Sequence, residues 1–289
     1  MSILINSNTK VIIQGITGTQ ASFHAQKMLD YGTQIVGGVS PQKGGTKHLG
    51  LDVYNTVEEA VKYTKAVASV MFVPAQFVKN AIKEAVEAQV ETVVAIAAGV
   101  PVKDMMEIKA MLKGSNTLLI GPNTPGIITP GEAYMGIFPD NIHRAGNVGI
   151  VSRSSTLTYE ATLETNRARM GQSTVIGLGD DMIVGTNFVE IVKKFHDDEK
   201  TEIILMIGHQ GGMYEEKFAQ YYTSLKHKKP IIGYIAGSAM PIEDKMGYAG
   251  DIITGGKVTA QRKKEVLLDA GIRVVDSINQ IHEVLKTIK

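Results

Sequence analysis

"KVIIQGITGTQASFHAQKM" (residues 10–28) decides how the rest of the chain is read. A short apolar run ends at Gly15, and Gly18 and Ala21 follow at the spacing G-x-x-G-x-x-A before a segment of helical character. This is close to the G-x-G-x-x-G/A turn, in which small residues let the backbone approach a pyrophosphate and the N–H groups of a helix start meet its charge. The same residues suit a tight strand-to-helix turn that holds nothing, so the surrounding elements must decide.

Outward from this turn, "QIVGGVS" (34–40), "ASVMFVP" (68–74), "TVVAIAAG" (92–99) and "TLLIG" (117–121) are short apolar runs that read as buried parallel strands. Between the third and fourth of the five runs, Val78, Ile82, Ala85 and Val86 recur at i, i+4, i+7 and i+8, one apolar stripe of a helix lying on the sheet. Residues 1–122 are therefore predicted to form a doubly wound α/β domain. The stretch 121–146 has four prolines, five glycines and no sustained period, so 123–146 is read as a linker. A second set of strands follows in 147–289: "NVGIVSRS", "STVIGLG", "EIILMIG", "KPIIGYIAG" and "IRVVDS", separated by helical segments such as 187–196 and 213–226.

The 289 residues, 44% of them hydrophobic, are enough for two such domains with ordinary cores. A net charge of +1 with both signs mixed along the chain gives no footprint for nucleic acid or an anionic membrane. With no cysteine there is no disulfide framework, thiolate metal site or cysteine nucleophile. The N-terminus lacks the pattern of a signal peptide and no apolar run reaches about 18 residues, so a cytoplasmic protein is expected. No histidine pair has metal-ligand spacing, and no G-x-S-x-G occurs.

The end of the second strand narrows the ligand. An NAD site places an acidic residue about 20 residues past the turn, whereas "GGVSPQKGG" offers Lys43 and no acid. A cation there suits a nucleotide with an extra ribose phosphate, which describes both NADP and coenzyme A; a solvated loop lysine is the plain alternative. Beyond the turn, "GITGTQASFHAQKMLDYGTQIVGGVSPQKGGTKHLGLDVYNTVEEA", "IGPNTPGIITPGE", "VGIVSRSSTLTYEA" and "KPIIGYIAG" resemble the α subunit of succinyl-CoA synthetase, the ATP- or GTP-forming succinate–CoA ligase, along essentially the whole chain. The resemblance implies a CoA-binding Rossmann-type domain followed by a flavodoxin-like ligase domain. It implies CoA contacts at Thr17, Gly18, Thr19, Gln20, Lys43, Ile96, Ala97 and Ala98, a carboxylate substrate near Tyr159, and a phosphate-holding helix start at Ser154, Ser155 and Thr156. It also implies a partner β subunit with an ATP-grasp site, in an αβ or α2β2 assembly, through which alone ATP or GTP with Mg²⁺ would be used.

Such enzymes pass a phosphoryl group through a histidine in a loop reading M-G-H-A-G-A, and here Tyr248 occupies that position. An imidazole has a pKa near 6.5 and two nitrogens, so one can attack phosphorus while a carboxylate holds the other. A phenol has a pKa of about 10 and a single oxygen. The family's G-E-I-G-G, whose glutamate steadies that histidine, is here G-H-Q-G-G, with His209. G-I-G-G-D has become G-L-G-D-D with Asp180, S-R-S-G-T has become S-R-S-S-T at Ser155, T-E-G is replaced by Ala97, Ala98 and Gly99, and the cysteine of N-C-P-G by Thr124. Two functions follow: an acid–CoA ligase α subunit with unusual phosphoryl chemistry, His209 being the candidate relocated carrier, or a CoA- or acyl-CoA-binding homologue whose relay is impaired. An NADP-dependent oxidoreductase fits the turn and Lys43 but has no identifiable proton donor.

Overall fold

The computed structural model describes residues 2–237 and 259–288. The opening turn does link a strand to a helix: β1 (Val11–Gln14) is wholly buried, and α1 (Thr19–Tyr31) turns Ala21, Ala25 and Met28 inward at i, i+4 and i+7. Gly32, at φ +98, ends α1 in the left-handed conformation, returning its N–H to Leu29 O. The other apolar runs fold as β2 (Ile35–Val39), β5 (Ala68–Met71), β6 (Thr92–Ala95) and β7 (Leu118–Ile120). A hairpin of β3 (Lys47–His48) and β4 (Leu51–Tyr54) had no periodic signal; helix α2 (Val57–Thr64) follows it. Helices α3 (Ala75–Glu87) and α4 (Val102–Leu112) complete the layer, with Val78, Ile82 and Ala85 of the expected stripe buried and Val86 half-buried.

The first sheet runs β3-β4-β2-β1-β5-β6-β7, all parallel except β3 against β4. Without the edge strand β3 it has the Rossmann order, and the chain reverses its direction of winding between β1 and β5, where a crevice opens at the carboxyl ends of the strands. Gln14, buried in β1, is satisfied on both sides: its amide donates to Ala81 O at 3.0 Å and accepts from Ser69 Oγ at 2.8 Å.

The stretch 123–146, read as a linker, carries β8 (Gly126–Thr129) and β9 (Ala133–Gly136), and these pair antiparallel and join the second sheet through β11. Gly126 (φ +106) sits opposite Gly136 (φ +143), and a Cβ on Gly126 would lie 2.0 Å from Met135 O, so the two strands meet at a closeness that only glycine permits. The second sheet is completed by β10 (Ala145–Ser152), β11 (Gln172–Gly177), β12 (Ile203–His209), β13 (Ile231–Ala236) and β14 (Arg273–Val275). Helices α5 (Ser155–Arg167), α6 (Phe188–Asp197), α7 (Tyr214–Ser224), α8 (Ala260–Asp269) and α9 (Ile281–Thr287) cover it. Its order, β14-β13-β12-β10-β11-β8-β9, is the flavodoxin arrangement extended by the hairpin.

The hairpin also joins the two halves. Thr33 Oγ1 donates to Tyr134 O and accepts from Tyr134 N, both at 3.0 Å, and the Tyr31 ring meets that of Tyr134 edge-on at 5.1 Å. Farther along, Asn123 N donates to Ala97 O at 2.8 Å and Asp180 N to Asn123 O at 3.2 Å, which draws the carboxyl end of β6 to the loop after β11. Among the described residues no helix is long and apolar enough to cross a membrane.

Candidate functional site

The crevice at the β1–β5 switch is built from the turn outward. Gly15 has φ +83, and a Cβ there would lie 2.6 Å from Phe72 O, so glycine lets the end of β1 close onto the end of β5. Gly18 is the N-cap of α1 and no side chain caps the helix, while Gly18, Thr19 and Gln20 are exposed. The first-turn N–H groups and the helix dipole thus face outward with no acidic residue in that turn. Lys43 reaches across from the loop after β2, its Nζ donating to Thr17 Oγ1 at 3.0 Å, and Thr17 Oγ1 lies 3.1 Å from Ser40 Oγ. That loop is pre-shaped, since Lys43 N donates to Ser40 O, Thr46 Oγ1 to Lys43 O and Gly44 N to Asn55 Oδ1. Beside the turn lies a slot of about 390 Å³ walled by Val39, Pro41, Val73, Pro74 and Phe77, with Asn80 on its rim. Exposed N–H donors, a cation and an apolar slot at one strand edge fit an adenine nucleotide carrying phosphates. Ser40 and the slot escaped the sequence reading, because only the fold brings their residues together.

The stretch Ile96, Ala97 and Ala98 lies two strands from β1, at the end of β6, with Ile96 and Ala97 half-buried and Ala98 exposed. It borders a second cavity, of about 480 Å³, whose far wall holds Asn123, Asp180 and Asp181. Asn123 Nδ2 donates to Asp181 Oδ1 at 3.0 Å. Burial pushes the Asp181 carboxyl above the usual range, and the charge of Asp180 adds to this, while the Asn123 hydrogen bond and Arg153 oppose it.

At the carboxyl edge of the second sheet, Ser154 caps α5 by accepting from Leu157 N, with Thr156 Oγ1 3.5 Å from its hydroxyl and Ser155 half-buried beside it. Arg153, just before the cap, is 2% exposed. Its Nη2 donates to Asp181 O at 3.2 Å and its guanidinium lies 4.7 Å from the Tyr214 ring centroid, leaving Nε and Nη1 buried without a hydrogen-bond partner. A charged residue between a strand end and a helix cap is the sequence signal that would have found it. Tyr159, on α5, is half-buried with its ring edge-on to Phe138 at 6.0 Å, and burial raises its phenol above the ordinary value.

His209 ends β12 and is buried. Its Nδ1 lies 2.6 Å from Gln210 O; a carbonyl only accepts, so Nδ1 carries the proton. Its Nε2 is 2.9 Å from Asp180 Oδ1, an ion pair when the imidazole is protonated. The Asp180 carboxylate thus stands directly beside the ring. Tyr248 lies outside the described residues.

Two family models match the halves so described: "CoA binding domain" over residues 6–99 and "CoA-ligase" over residues 151–273. They define a CoA-binding ligase chain of two α/β parts. The chain is 50% identical over 290 residues to the α subunit of ADP-forming succinate–CoA ligase from Aquifex aeolicus, spanning 100% of this chain and 95% of the relative. It is 48% identical over 281 residues to that of Staphylococcus epidermidis (97% and 93%) and 46% identical over 288 residues to α subunit 2 of Archaeoglobus fulgidus (100% and 100%). Among solved structures, ATP citrate lyase from Methanothrix soehngenii in complex with citrate and coenzyme A superimposes with a TM-score of 0.88 at 26% identity, over 99% of this chain and 50% of that one. The chain belongs to the succinate–CoA ligase α-subunit family. That membership does not favour the oxidoreductase alternative.

Proposed function

We propose that the chain binds coenzyme A or an acyl-CoA at the β1–α1 turn as the α-type subunit of an acid–thiol ligase assembly, and that its phosphoryl relay is impaired. The observation that carries the first part is Lys43 Nζ at 3.0 Å from Thr17 Oγ1, over an uncapped helix start and beside the apolar slot. Phosphates lie against Thr17, Gly18, Thr19, Gln20 and Lys43, the adenine enters the slot under Phe77, and the pantetheine arm runs toward Ile96, Ala97 and Ala98. Residues 1–122 act as the CoA-binding domain and 147–289 as the ligase domain, with 123–146 between them. The nucleotide, ATP or GTP with Mg²⁺, is handled by a β subunit in an αβ or α2β2 complex in the cytoplasm.

The second part rests on Tyr248 at the phosphohistidine position and on the constrained ring of His209. Ser154, Ser155 and Thr156 retain a helix start for an anion, and Tyr159 flanks the carboxylate substrate. Calorimetric titration of the chain tests the CoA reading, with NADP as the control ligand. CoA is expected to bind in the micromolar range, NADP more weakly, and Lys43→Ala to weaken CoA about tenfold through loss of one charge-assisted contact. No heat with CoA, or equal affinity for NADP, would remove the basis of the reading.

A further inference from the structure

The segment between β2 and β4 reaches the β1–α1 turn twice, and the significance of that double contact rests on the CoA reading above. The first contact is Lys43 Nζ on Thr17 Oγ1. The second is made by His48, at the end of β3, whose Nε2 lies 2.7 Å from Ser22 Oγ in the first turn of α1. Ser22 Oγ lies in turn 2.9 Å from Gly18 O and 3.2 Å from Ile16 O. Both side chains thus close on the three residues Ile16, Thr17 and Gly18, one directly and one through a serine.

Proton counting fixes the direction of the second contact. Gly18 O and Ile16 O are carbonyls and only accept, so the single Ser22 hydroxyl proton is directed to them and the hydroxyl oxygen accepts from the imidazole. His48 Nε2 therefore carries a proton. The donors run in one line from His48 through Ser22 to the turn, and each hydrogen bond polarises the next.

Gly18 O already accepts the Ser22 N–H of the helix at 2.8 Å, whereas Ile16 O stands outside the helix and, among the described residues, accepts only from Ser22. A trans peptide sets its C=O and the following N–H in opposite directions, so holding Ile16 O toward α1 turns the Thr17 N–H away from it. Among the described residues that N–H has no hydrogen-bond partner, and it belongs to the residue whose hydroxyl receives Lys43. An open donor and an ammonium meet at one residue of the turn. The segment that brings His48 there is itself tied down. Gly45 N donates to Val53 O and Val53 N to Thr46 O, while Asn55, which receives Gly44 N, donates its own N–H to Glu59 Oε2 of α2 at 3.0 Å.

We infer that Ser22 and His48 are positioning residues of the CoA site. Through the serine hydroxyl the imidazole holds the Ile16–Thr17 peptide in the orientation that offers its N–H to a phosphate, so the β3–β4 hairpin sets the grip of the turn on its ligand.

The test is calorimetric titration of the full chain with CoA in Ser22→Ala, His48→Leu, the two combined, and His48→Gln, with urea midpoints measured alongside. Each of the first two is expected to weaken CoA about fivefold with little change in the midpoint. Combined, they are expected to cost less than about tenfold, short of the roughly 25-fold product of independent effects. His48→Gln, whose amide nitrogen takes the place of Nε2, should stay within about twofold of the unsubstituted chain. Unchanged affinity in His48→Leu, losses that multiply, or equal losses in His48→Leu and His48→Gln would overturn the inference, and weakening that only follows a lowered urea midpoint would do the same. If Lys43→Ala weakens CoA in that case, the CoA reading stands without it. If the unsubstituted chain binds no CoA, both fall.

Discussion

His209 shows how a residue's neighbours fix its chemistry. An imidazole at a strand end among glycines looks like a nucleophile in the sequence, yet a carbonyl on Nδ1 and a carboxylate 2.9 Å from Nε2 tie the ring to its neighbours. His143 is a histidine that burial keeps neutral. Its Nδ1 donates to Pro139 O at 2.9 Å, its Nε2 is buried without a partner, and burial pushes the imidazole down to about 4, against weaker opposing effects of Pro139 and Asp140. Because the folded value lies below the unfolded value near 6.5, the unfolded chain binds the proton more readily between these limits. Stability is therefore full above about pH 6.5 and falls as the pH drops toward 4, by up to about 3 kcal/mol. Urea unfolding between pH 4 and 7 should show this slope, and His143→Gln should flatten it; an equal slope in the variant would mean that other groups titrate in the window.

Among the elements, α7 and α8 are held by a buried ionic cluster. Lys263 Nζ donates to Gly212 O at 3.0 Å, to Glu216 Oε2 at 3.0 Å and to Glu215 Oε2, and Glu215 Oε1 accepts from His209 N at 3.3 Å. The lysine and Glu215 are wholly inaccessible to solvent. Lys263→Met keeps the bulk but leaves two carboxylates without their cation, so a loss of about 3–5 kcal/mol is expected in denaturant unfolding. A loss below about 1 kcal/mol would show that the carboxylates find water or protons instead. Little of this was visible beforehand. The ten apolar runs were legible as strands because most of their residues are apolar and buried without a polar break, whereas the β3–β4 hairpin carries polar residues and β8–β9 stands among glycines and prolines, so neither has a period to read. The 123–146 stretch looked like a linker because its glycines and prolines serve close backbone approach, a reason that appears only when Gly126 and Gly136 are seen opposite each other. The β1–α1 turn was legible because its parts are local in sequence. The slot, the pairing of His209 with Asp180 and the second cavity join residues from separate elements, and no spacing encodes them.

At the scale of the molecule, a Rossmann-ordered sheet presents its switch-point crevice, a flavodoxin-ordered sheet presents the start of α5, and the shared hairpin holds the two together. The family fold is retained, and the proposed impairment of the relay rests on Tyr248 and His209 standing where the resemblance places the histidine and its glutamate partner. The most direct test of this account mixes the chain with a β subunit of the family, radiolabelled nucleotide and Mg²⁺, and measures acid-labile phosphate on the α chain. An α subunit that keeps the family histidine serves as the positive control. The account predicts labelling of the control and none of this chain. Acid-labile phosphate on this chain, lost on His209→Gln, would contradict it and make His209 the phosphoryl carrier.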